Sequence, residues 1–196
     1  MAIVEDKDQY STDFTKCLKY LRKHMGEIVS SSVNPGNTSD GASSHLDILI
    51  LGGLGGRVDQ AFSQIHHLYL MTREYSSKQA AGNLYLVSEE SLTFILQPGR
   101  NTIRTPGTRA LEPSSKTKNS EGDDDNILEE NVGIIPLSGP ASITTKGFEW
   151  DVQDWPTEIG GQISTSNHIR DEIVEVEGNV AVLFTVELAT RFKRVR

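Results

Sequence analysis

The chain has 196 residues, enough for one large domain or two small ones, and its 36% hydrophobic content is diluted by polar stretches that leave the rest apolar enough for a core. A formal net charge of -8 argues against a nucleic-acid binder, which needs a basic face to displace counterions from phosphate. The single cysteine, Cys17, excludes an intrachain disulfide and any zinc site built on clustered cysteines, which points to a reducing compartment.

The opening residues, MAIVEDKDQYSTDF, lack the basic segment and apolar run of a signal peptide. No stretch reaches the ~18 consecutive apolar residues of a membrane span, so the expectation is a soluble, cytoplasmic protein without membrane contact. Residues 11–24 read as a helix, with Phe14, Cys17, Leu18, Leu21 and Met25 at three- and four-residue spacing and Ser11 or Thr12 as N-cap. Cys17 falls on that apolar face and reads as structural. A polar loop follows at 30–44, then a buried strand at 46–51 that runs into Gly52, Gly53, Leu54, Gly55 and Gly56. The next helix carries Val58, Ala61, Phe62, Ile65, Leu68 and Tyr69 on one face, and strands follow at 83–87 and 92–96. Helix alternating with strand is the pattern of a doubly wound α/β sheet, although such a unit normally opens on a strand and this one opens on a helix.

After Gln97-Pro98-Gly99 the helical period disappears. Short β-prone segments stand at 101–104, 132–137, 142–145, 162–166, 173–176 and 180–188, with a polar insertion at 105–126. The expected fold class is therefore α/β plus all-β. An incomplete doubly wound α/β domain (1–97) is followed by a β-sandwich domain (98–196).

Three constellations carry chemistry. The first is Gly52 to Gln60, GGLGGRVDQ, where glycines let backbone amides approach phosphate at a helix N-terminus. It matches neither a Walker A loop nor a dinucleotide fingerprint. A tight strand-to-helix turn explains the glycines equally well, and Arg57 and Asp59 just behind them favour function. The second is DQYSTDFTK (8–16), where carboxylates and hydroxyls crowd a helix start. A metal–phosphate complex or ordinary N-capping accounts for it. The third is TTKGFEWD (144–151), with STSN at 164–167. Trp150 there is either core or a stacking platform for a flat heteroaromatic ring. The His66-His67 pair reads as surface or core, the acidic run at 123–125 as a solvated charge run, and EIVEVE as a half-exposed strand with its acids on the wet face.

In this order the three constellations resemble thiamine pyrophosphokinases of the eukaryotic type. The matching stretches are DQYSTDFTKCL (8–18), LGGLGGRVDQ (51–60), TTKGFEWDV (144–152) and STSN (164–167), supported by LQPGRN (96–101) and GIIPL (133–137). The resemblance implies pyrophosphoryl transfer from ATP to the thiamine hydroxyl, giving thiamine diphosphate and AMP. It also implies Mg2+, with Asp13 as ligand, and a homodimer whose sites are shared between subunits. Asp13, Arg57 and Asp59 take the catalytic roles; Gln9, Thr12, Gly55, Gly56 and Gln60 contact ATP; Trp150, Thr144 and Thr145 hold the thiamine ring.

The same resemblance implies a preceding strand–helix portion with a Gly-Asp-x-Asp-Ser loop that binds magnesium, which this sequence lacks. The run at 122–126 lies after the catalytic part without a buried strand before it, and does not replace that loop. The expectation is a truncated, catalytically impaired chain. The competing readings are a working enzyme, a thiamine or nucleotide binder without turnover, and a generic α/β nucleotide-binding module.

Overall fold

The computed structural model describes residues 4–32, 46–52, 54–75, 81–105 and 126–193. The polar loops expected at 30–44 and 105–126 fall almost wholly outside these residues, as does the acidic run at 123–125. The chain divides into two units, Met1–Ile48 with Glu74–Asn83 and Leu49–Arg73 with Leu84–Arg196.

In the first unit, helix α1 (Asp13–Ser32) is capped by Thr12, whose Oγ1 accepts the Thr15 N–H at 3.2 Å. Leu18 and Met25 are its buried residues, whereas Cys17 is exposed, contrary to the structural role expected for it. The helix runs eight residues beyond the expected end at His24, through Gly26. The start of strand β1 (Leu46–Leu51) belongs here too, where the Asp47 carboxylate accepts the Asn83 N–H at 2.6 Å.

In the second unit, β1 ends in the glycine-rich turn and helix α2 (Val58–Tyr75) begins after it. Leu68 and Met71 are the buried residues of α2. Val58 and Phe62, expected on one face with Leu68, are exposed, Phe62 by 66%. Strand β2 (Ala81–Val87) turns back into β3 (Ser91–Leu96) as an antiparallel hairpin, with Leu86 opposite Thr93. The segment at 92–96 is thus not a parallel strand of a doubly wound sheet; it pairs on its other side with β10 (Val182–Leu188). The sheet continues through β5 (Leu128–Pro136) to β8 (Ser164–His168).

A second sheet has the order β4 (Gly99–Arg104), β9 (Ile173–Gly178), β6 (Ala141–Lys146) and β7 (Trp155–Thr157), all antiparallel. The Gln97–Asn101 turn feeding β4 is closed by the Asn101 side chain, which donates to Gln97 O at 2.8 Å and accepts the Gln97 N–H at 3.2 Å. Both sheets send alternate side chains into one core. Leu96, Val132, Ile134, Val182, Phe184 and Val186 come from the first sheet, and Ile143, Val174 and Val176 from the second. The other face of β9 carries Ile173, Glu175 and Glu177. This is the two-layer β-sandwich expected from the alternation, and with the α/β elements it makes a mixed sheet plus an antiparallel one. Among the described residues no helix is long and apolar enough to cross a membrane.

Candidate functional site

A concavity lies in the second unit, at the end of β6. Strand alternation aims Ile143 and Thr145 inward, while Ser142 and Thr144 face the other way. β6 then stops at Gly147, whose φ of 92° suits glycine, and whose Cβ, if it had one, would sit 3.1 Å from Ile173 O. Asp151 holds the turn together. Its carboxylate accepts the N–H groups of Gly147 (3.0 Å) and Phe148 (3.1 Å) and the Thr145 hydroxyl (3.2 Å). Thr145 Oγ1 in turn accepts the Val152 N–H at 3.0 Å.

This turn presents Trp150 to solvent, 54% exposed, while its backbone is clamped to β8. The Trp150 N–H donates to Asn167 Oδ1 at 3.1 Å, and Asn167 Nδ2 donates to Trp150 O at 2.9 Å. Asn167 is only 6% exposed, so the clamp is a buried one. Below the indole lies a pocket of about 450 Å³ lined by Thr145, Trp155, Ile163 and the run Ser164, Thr165, Ser166 and Asn167. Apolar walls with a short row of hydroxyl and amide groups on one rim make a slot suited to a flat, polar-edged heterocycle. Thr144 is not in it. It lines a neighbouring groove with Arg100, Lys146, Glu175 and Glu177, and its Oγ1 accepts the Asp154 N–H at 3.0 Å.

The glycine-rich turn, also in the second unit, joins β1 to α2. Gly56 has a φ of 67°, and the space where its Cβ would stand is open, as it is at Gly55. Arg57 Nε and Nη2 donate to the two carboxylate oxygens of Asp59 at 3.1 and 2.5 Å. That guanidinium holds the Asp59 carboxyl below the usual carboxylate range. Both side chains are largely exposed, so the pair is cheap to open for an incoming ligand. The Gln60 N–H is turned back to Arg57 O at 3.2 Å, the first bond of α2.

In the first unit, Asp8 folds the approach to α1. One of its oxygens accepts the N–H groups of Tyr10 (2.9 Å) and Ser11 (3.3 Å), and the other the Ser11 hydroxyl (2.5 Å). The Ser11 hydroxyl is the main reason its carboxyl stays below the ordinary range. Gln9, Thr12 and Asp13 are exposed around the helix start. Asp13 also borders a groove of about 900 Å³ with Lys7, Lys16, Lys19 and Lys23. Among the described residues no three His, Cys, Asp or Glu side chains converge as a metal site.

The structure thus joins Trp150 and Thr145 in one pocket, Arg57 and Asp59 in one pair, and Gln9, Thr12 and Asp13 at one helix start. Asn167 and Trp155 were not assigned roles from sequence. Asn167 stands in the STSN run, which marked the place; Trp155 sits on a three-residue strand that gave no signal.

Two family models match the chain. The one described as "Thiamin pyrophosphokinase, catalytic domain" matches residues 1–79, and "Thiamin pyrophosphokinase, vitamin B1 binding domain" matches residues 118–183. Thiamine pyrophosphokinase 2 of Arabidopsis thaliana is 29% identical over 187 residues, covering 95% of this chain and 56% of the relative. Thiamine pyrophosphokinase of Saccharomyces cerevisiae is 25% identical over 217 residues, covering 96% of this chain and 62% of its own length. The chain therefore spans little more than half the length of these relatives. Among solved structures, thiamin pyrophosphokinase from Candida albicans superposes with a TM-score of 0.70 at 23% identity, over 95% of this chain and 64% of that one.

Proposed function

The chain belongs to the thiamine pyrophosphokinase family, and from that premise we propose that it seats thiamine under Trp150 and serves pyrophosphoryl transfer from ATP to the thiamine hydroxyl. The products are thiamine diphosphate and AMP. The observation that carries this reading is the Trp150 pocket, which lies within the stretch matched by the vitamin B1 binding model. An exposed indole facing a thiazolium cation gains roughly 0.5–2 kcal/mol of cation–π attraction. The hydroxyls of Ser164, Thr165 and Ser166 give the aminopyrimidine edge hydrogen-bond partners.

The phosphate chemistry falls to the family's catalytic stretch. Arg57 at the N-terminus of α2 adds a full positive charge to the helix dipole, which stabilises charge building on phosphoryl oxygens. Asp59, held ionised by Arg57, orients the attacking alcohol or takes its proton once the pair opens. Gly55, Gly56 and Gln60 border the same turn. Gln9, Thr12 and Asp13 meet the nucleotide beside the lysines of the α1 groove. Thr145 lines the thiamine slot, and Thr144 borders the groove next to it.

ATP is the expected co-substrate and Mg2+ the expected ion. The described residues do not fit a magnesium site by themselves: Asp13 is one exposed carboxylate, and an octahedral ion needs more oxygen ligands than it offers. No step is therefore assigned to the ion. A cytoplasmic homodimer with sites shared between subunits belongs to the same reading. The unfitted ion also favours a second one, a thiamine binder without turnover.

Incubating the purified chain with ATP, magnesium and thiamine separates the two, with an Asp59→Asn variant as control. Thiamine diphosphate and AMP formed in equal amounts, and lost in the control, support turnover. Thiamine bound without product supports the binder. Neither binding nor product contradicts both.

A further inference from the structure

Beside Trp150 lies a set of polar and charged side chains to which the proposed reaction gives no role. The His168 imidazole stands 5.2 Å, ring centre to ring centre, from the Trp150 indole, tilted by 42°. Its Nδ1 is 2.7 Å from Glu149 Oε2. The same carboxylate is paired with Arg170, and Arg170 is also paired with Glu130. His168 and Arg170 together hold the Glu149 carboxyl below its ordinary range, so it stays an anion beside both partners.

These groups are not needed to build the turn. The backbone around Trp150 is already fixed by Asp151 and by Asn167. Glu149 is joined to β8 through its own N–H, which donates to His168 O at 2.8 Å whatever side chain residue 168 carries. Glu149, His168 and Arg170 all keep 25–38% of their side-chain surface and stand outside the core cluster. What they do border is a ring. An indole more than half exposed is free to change rotamer, and ordering it on binding costs affinity.

Resting on the reading of Trp150 as the thiamine platform, we propose that His168 is a positioning residue: it holds the indole in the stacking orientation, and Glu149, braced by Arg170, holds His168. Fixing the ring before the ligand arrives removes part of that ordering cost. Loss of the imidazole should weaken thiamine binding roughly two- to tenfold, by the usual cost of immobilising one side chain. Glu149→Gln should act in the same direction. His168→Phe, which keeps a flat ring beside the indole, should retain more affinity than His168→Ala.

The test is thiamine titrated calorimetrically into the chain and its variants, arranged as a cycle of His168→Ala and Trp150→Leu. The proposal predicts that His168→Ala weakens binding when Trp150 is present and adds little once residue 150 is leucine. An equal loss in both backgrounds, or no loss in either, overturns it. If Trp150→Leu alone leaves thiamine affinity unchanged, the platform reading itself fails and the inference falls with it. A fluorescence anisotropy measurement in a Trp155→Phe background reads Trp150 alone, in the absence of ligand. His168→Ala should increase its local motion, and unchanged anisotropy contradicts the proposal even if the affinity falls.

Discussion

Arg57 and Asp59 face one another across two hydrogen bonds at the mouth of a helix. Because the folded-state pKa of Asp59 is depressed, its contribution to stability is present above the ordinary carboxylate range. It is lost as the pH falls through the lowered value. A carbon-detected NMR titration should find the Asp59 midpoint below that of an unstructured aspartate. Arg57→Ala should move it up, and salt should narrow the difference because the pair is exposed. An unchanged midpoint in Arg57→Ala would show that the guanidinium is not the cause. Asn167 presents the opposite case, a buried amide with a donor and an acceptor both engaged by Trp150. Asn167→Ala leaves those backbone groups without their partner and should cost roughly 1–3 kcal/mol in chemical denaturation. It should also weaken thiamine binding, since the indole's backbone is then released.

At the scale of elements, the turn between β6 and the Trp150 segment depends on one left-handed residue. Gly147→Ala must place a methyl group at a φ of 92° and within 3.2 Å of Asp171 and Val174 side-chain atoms. The expected penalty is roughly 1–3 kcal/mol by thermal or denaturant unfolding, with thiamine affinity falling in parallel. That turn was visible in sequence as a glycine before a phenylalanine and a tryptophan, and β9 as Val174 and Val176 alternating with acids. The β1–glycine–α2 junction was equally plain, because a short apolar run ending in glycines admits few other structures, but β1 is not the buried strand expected: Ile48 is buried while Leu49 and Leu51 are exposed. Other elements left weaker marks. β7 is three residues long and contains Pro156, so it offers no alternation to read. α1 continues past Gly26 because Met25 stays buried and Ile28 half-buried, which outweighs the glycine's cost. The spacing of Val58 and Phe62 marks a face of α2 but not what covers it, and here both are exposed. The Asn167–Trp150 clamp joins β8 to the turn after β6 across 17 residues, a tertiary contact that no local pattern encodes.

At the scale of the molecule, the sandwich is the part with the most complete core. Phe184 is fully buried at its centre, in ring contact with Phe94 at 5.1 Å and Phe148 at 6.5 Å. Phe184→Ala should destabilise the sandwich by roughly 3–5 kcal/mol, read as a lower unfolding midpoint. The stretch matched by the catalytic-domain model carries the Arg57–Asp59 pair and the lysines of the α1 groove, and no three metal-ligating side chains converge among its described residues. In the proposed reading, thiamine binding and turnover of ATP are two claims, and the first is tested by itself. The most direct measurement is a calorimetric titration of thiamine into the purified chain without ATP, beside Trp150→Ala. The account predicts saturable one-site binding that Trp150→Ala weakens at least several-fold while the fold, followed by circular dichroism, is kept. Thiamine bound equally well by the folded Trp150→Ala variant, or not bound by the parent chain at all, would contradict it.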